Sequence, residues 1–136
     1  MPEFGRSFSG APWEAEVGYC RSLRAGDRVF VTGTAPVAEG GGVHAVGDGY
    51  RQALRCLAII GEALAAQGAD LSHVVRTRMF VTDIELWKEY GRAHKEVFGD
   101  HPPTTTMVEV SRLIDPDMLI EIEADAIVGD AKRLDG

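Results

Sequence analysis

A chain of 136 residues is one domain's length, enough to bury roughly two-thirds of its unfolded surface without disulfides or metals. Hydrophobic residues at 45% and charged residues at 26% exclude the disordered and fibrous classes. The formal net charge of -7 repels phosphate backbones and anionic headgroups, so neither nucleic acid nor membrane is an expected partner. No apolar run approaches the ~18 residues of a membrane span, and the N-terminus lacks a signal-peptide pattern, so the cytoplasm is the expected compartment.

Residues 1–16 carry Gly, Pro and Ser with little periodicity and read as an irregular arm to a single domain over 1–136. Tyr19 to Arg24 and Arg28 to Thr34 read as two strands joined by a tight turn containing Gly26-Asp27. Gly40-Gly41-Gly42 is a loop, since three glycines lose too much backbone entropy to sit inside an element. Asp48 can cap a helix whose Tyr50, Ala53, Leu54, Leu57, Ile60 and Leu64 form one apolar stripe, ending near Gly68. The β-branched run from Val74 to Thr82 predicts a strand. Asp83 then predicts a second helix cap, with Leu86, Tyr90, Val97 and Phe98 on its apolar face and Gly99 as its stop. After His101-Pro102-Pro103, an extended connection, strands are expected over 104–110 and 118–128, separated by Asp115-Pro116-Asp117.

Five strands and two helices make an α+β domain, most simply a mixed or antiparallel sheet with both helices packed on one face. Alternation assigns Val75, Thr77, Met79 and Val81 to one face of their strand and Arg76 and Arg78 to the other. In the last strand Ile120, Ile122, Ala124 and Ala126 share a face, opposite Glu121, Glu123 and Asp125. Both arginines and all three carboxyls then lie on the helix-free side. They form either a surface ladder of ion pairs or the wall of a polar cleft covered by another subunit.

Smaller signals have plainer readings. Cys20 and Cys56 are expected as apolar packers, and His44, His73 and His94 lack partners at metal-ligand spacing, so surface or capping roles suit them better. Trp13 either covers a cleft or anchors the arm, and Trp87 is expected to help fill the helix–sheet interface.

Several segments, in this order and spacing, resemble the Rid/YjgF reactive-intermediate deaminases. They are Gly18-Tyr19, Arg28 to Gly33, Gln52-Ala53-Leu54, Val74 to Thr77, Phe80 to Asp83, Pro103 with Val108-Glu109-Val110, and Glu121-Ile122-Glu123-Ala124. The resemblance implies a chorismate-mutase-like fold, a homotrimer, and small-ligand clefts between subunits; no cofactor is expected, and the Cys and His spacings give no metal site. In the deaminase members the cleft is built by residues that match Tyr19, Gly33, an arginine at the place of Thr105, and Glu121. Thr105 departs from that pattern, since a hydroxyl cannot replace the paired bonds of a guanidinium to a carboxylate. Gly91 is a second departure, where those members carry an asparagine. The resemblance implies a ligand cleft at Tyr19, Gly33, Thr105 and Glu121, with hydrolytic deamination of an enamine or imine in which Glu121 positions or activates water. Arg78, placed beside it by alternation, either supplies the missing positive charge to that cleft or is an ion-pair partner of Glu121 or Glu123. The alternatives are a trimer that binds a small ligand without turnover and, opposed by the acidic charge, an endoribonuclease.

Overall fold

The computed structural model describes residues 4–129. Six strands form one sheet: β1 (Phe4–Ser7), β2 (Ser22–Ala25), β3 (Arg28–Thr34), β4 (Val74–Val81), β5 (Thr104–Glu109) and β6 (Ile120–Ile127). Their order is β1-β2-β3-β6-β4-β5, antiparallel throughout except for the parallel pair β4 and β5. The helices are α1 (Pro12–Val17), α2 (Gly49–Ala65) and α3 (Trp87–Phe98). Helix α2 contacts β3 and β6 as well as α3, and the core lies between these helices and one sheet face. Leu57, Ile60 and Leu64 of α2 and Tyr90 and Phe98 of α3 are buried together with Val29, Val31, Met79, Val81, Ile120 and Ile122.

Asp48 caps α2 as its sequence position predicts, accepting from the Arg51 backbone N–H at 2.9 Å. One turn on, the buried Gln52 amide donates to the Asp117 carbonyl at 2.9 Å and accepts from the Leu119 N–H at 2.8 Å. This side chain satisfies two backbone groups at the entry to β6 and fixes the helix against the strand that carries Glu121.

Four expectations are corrected. The segment read as an irregular arm holds β1, paired with β2, and α1, with Pro12 in its first turn. Gly18 ends α1 at φ 86, a left-handed conformation that glycine adopts without penalty. In β4, Val74 rather than Val75 joins the core, because a bulge between Val74 and Arg76 turns Val75 outward, 43% exposed. Asp83 caps a single 3-10 turn, Ile84–Leu86, that precedes α3, and Trp87 at the start of that helix is 54% exposed instead of filling the interface. His94 is half-buried and bonded to Thr77, whereas His73 accepts from the Asp70 N–H in a capping box.

Candidate functional site

The charged alternation of β6 is present: Ile120, Ile122, Ala124 and Ala126 are buried, and Glu121, Glu123 and Asp125 occupy the opposite, half-buried side. Register carries the same face across the sheet, with Phe30 opposite Asp125, Arg78 opposite Glu123, and Phe80 opposite Glu121. The site is built where β3 breaks its ladder with β6. Val31 pairs with Ala124 and Thr34 with Ile122, so Thr32 and Gly33 together span the one residue between them. Such a bulge bends the strand and re-aims its neighbours.

At that bulge Tyr19, Arg21, Gly33 and Glu121 line one cleft of about 680 Å³, with Trp13, Val17, Ile59 and Ile114 as apolar wall and Arg55 and Glu62 from α2. Gly33 is required by packing. A β-carbon there would run into Glu121 Oε1 and Cδ, so any side chain would push the carboxyl out of its position. Burial raises the proton affinity of Glu121 above the ordinary 4.5; the Arg21 charge opposes this and the Glu123 charge adds to it.

Arg21 was not singled out by sequence, and it is the cation of the cleft beside Tyr19 and Gly33. Its side chain is 11% exposed and its Cζ lies 5.9 Å from the Tyr19 ring. Nη1 donates to Thr34 Oγ1 at 3.1 Å and to the Gly33 carbonyl at 3.5 Å. Nε lies 3.6 Å from Glu14 Oε2 and is buried with no hydrogen-bond partner among the described residues. Glu14, 4% exposed, is held in turn by Ser9: the Ser9 N–H donates to Oε1 at 3.0 Å and its hydroxyl bonds Oε2. Burial works against ionisation of Glu14, but the Ser9 bonds and the Arg21 charge outweigh it and hold the carboxyl below its usual range. The signal that could have found Arg21 is its place two residues after Tyr19; Glu14 needed the fold of α1.

The structure brings Tyr19, Gly33 and Glu121 together and leaves the other two expected residues elsewhere in the same chain. Thr105 is exposed on β5, and its hydroxyl accepts from Thr77 Oγ1 at 2.7 Å, whose own oxygen lies 2.8 Å from His94 Nε2. Arg78 pairs with Glu123 Oε1 at 3.1 Å and Asp125 Oδ2 at 3.4 Å, an ion-pair ladder on the helix-free face. Glu123 and Asp125 line a second hollow across Tyr19 from the cleft, together with Phe8, Cys20 and Phe30. Among the described residues no group of three or more His, Cys, Asp or Glu side chains is placed to hold a metal ion, and no helix is long and apolar enough to cross a membrane.

The model of the endoribonuclease L-PSP family matches residues 9–128 of the chain. Among solved structures, that of Rv2704 from Mycobacterium tuberculosis, a member of the YjgF/YER057c/UK114 family, is 43% identical with a TM-score of 0.84, covering 93% of this chain and 100% of that one. An uncharacterised protein of Streptomyces coelicolor is 37% identical over 121 residues, 89% of this chain and 90% of its own. The 3-aminoacrylate deaminase RutC of Acinetobacter baylyi is 32% identical over 110 residues, 81% of this chain and 86% of its own.

Proposed function

Because the chain belongs to the endoribonuclease L-PSP family, which includes the YjgF and RutC proteins, we propose that it binds a small metabolite in the Glu121 cleft and hydrolyses its C=N bond. The observation that carries this reading is the carboxyl of Glu121, raised in proton affinity by burial and seated on Gly33 beside Tyr19 and Arg21. The Glu121 carboxylate, its proton affinity raised by burial, takes a proton from water as the water oxygen adds to the imine carbon. It returns that proton to the nitrogen, giving the carbinolamine, and then carries the carbinolamine hydroxyl proton to the same nitrogen, which leaves as ammonia as the carbonyl forms. An enamine enters the same route after its carbon is protonated to the imine. The Tyr19 hydroxyl orients the ligand, and the apolar wall of Trp13, Ile59 and Ile114 limits water around the reacting carbon.

The same reading places the working clefts between subunits of a homotrimer. Phe30 and Val108, 43% and 42% exposed, share the helix-free face with the Arg78 ladder and favour its burial against a second copy. Thr105 is exposed on the edge strand β5, on the face opposite Val108, and is open there to a neighbouring subunit. The threonine there, in place of an arginine, favours one competing reading, ligand binding without turnover. RNA cleavage is opposed by the net charge of -7.

The test is ammonia release from small imines generated in situ, comparing the wild type, Glu121→Gln and Thr105→Arg. Turnover by the wild type that falls about 10²- to 10⁴-fold in Glu121→Gln is the expected result. No turnover by the wild type, with some gained by Thr105→Arg, would favour the binding-only reading.

A further inference from the structure

We infer that the cleft takes small C=N compounds that carry no carboxylate, because Glu14 already sits on the Arg21 guanidinium from within the chain. The inference rests on the proposed use of the Glu121 cleft and narrows its ligand class. Arg21 is the guanidinium beside Tyr19 and Gly33, the place where an anionic ligand group would be expected to bind. Glu14 Oε2 stands 3.6 Å from its Nε, and Nη1 is engaged by Thr34 and Gly33. Ser9 fixes the Glu14 carboxylate through its N–H and its hydroxyl, so the pair is a built feature of the arm and not a chance surface contact.

A ligand carboxylate would therefore share one guanidinium with a buried, ionised carboxylate a few ångströms away. Like charges at that separation in a partly dry site cost on the order of tenfold or more in affinity. The rest of this chain's side of the cleft does not compensate. Arg55 donates from Nε to the Val37 carbonyl at 2.7 Å and shares the α2 flank with Glu62. Glu62 and Glu121 stand against Arg21 and Arg55 in the cleft wall, and Glu14, which lines the neighbouring hollow, meets Arg21 from behind, a balance that suits a neutral imine or its protonated iminium.

Pyruvate and pyruvamide are near-isosteric, unreactive carbonyl probes that differ in charge, and their affinities can be compared by NMR titration of the full chain. The wild type is expected to bind pyruvamide at least as tightly as pyruvate. Glu14→Gln, which keeps an acceptor for Ser9 but removes the charge, is expected to raise the pyruvate-to-pyruvamide affinity ratio about tenfold. Adding Arg21→Gln should cancel that gain. Preference of the wild type for pyruvate, or a ratio unchanged in Glu14→Gln, overturns the inference while leaving the cleft as a ligand site. Should Glu14→Gln not fold, the wild-type preference decides alone. Binding of neither probe to either protein would reject the cleft's reading as a carbonyl and imine site, and this inference with it.

Discussion

At the level of single residues, the site follows from one close approach and one buried pair. Gly33 leaves room for Glu121, so Gly33→Ala should displace the carboxyl and cost about 1–3 kcal/mol of stability, measurable by denaturant unfolding, with turnover lost in parallel. The two acidic residues respond to pH with opposite signs. Glu14 has a lowered proton affinity in the folded chain, so its stabilisation is present above the ordinary 4.5 and is lost as pH falls through its folded value. Glu121 has a raised one, so its contribution is present below 4.5 and is lost as pH rises through its folded value. Glu14→Gln should accordingly lose stability at neutral pH and lose less of it on acidification, whereas Glu121→Gln should gain at neutral pH; urea midpoints compared between acid and neutral pH check both signs. Tyr19, Gly33 and Glu121 were legible in the sequence only through its resemblance to the Rid/YjgF deaminases, and the structure lines one cleft with them. Arg21 and Glu14 were not, because their partnership depends on a six-residue helix too short for a periodic signal.

At the level of elements, alternation and capping residues gave α2, β3, β4 and β6 close to their observed bounds. What they missed arises where the ladder is irregular. The bulge at Val75 shifts which valine faces the core, and the bulge at Thr32 and Gly33 opens the cleft; both depend on pairing with β6, a strand distant in sequence. β1 escaped notice because an exposed edge strand of four residues carries no apolar alternation. The tie between α2 and β6 runs through Gln52. Gln52→Ala should cost about 3 kcal/mol, since it leaves the Asp117 carbonyl and Leu119 N–H without their partner, and hydrogen exchange at Leu119 should accelerate more than at the centre of α2.

For the whole molecule, the expected mixed sheet with two helices on one face is the observed one, and membership of the YjgF and RutC family follows from matches over most of the chain. The proposed homotrimer buries the helix-free face, with its Arg78 ladder beside exposed Phe30 and Val108, and light scattering should then return roughly three times the chain mass of 14.7 kDa. A charge pair there, Phe30→Glu with Val108→Glu, should shift that mass toward the monomer. The sequence alone left this face open between a surface ladder and a covered wall, because a charged strand face looks the same in both. The central claim is that the raised carboxyl of Glu121 moves the protons of C=N hydrolysis, and the pH dependence of kcat/KM for a small imine, in the wild type and in Glu123→Gln, tests it most directly. The account predicts a limb above the ordinary carboxylate value of 4.5 that moves to lower pH in Glu123→Gln, where a like charge beside Glu121 is removed. A limb that stays in place when Glu123 is neutralised, or one that persists in Glu121→Gln, would contradict it.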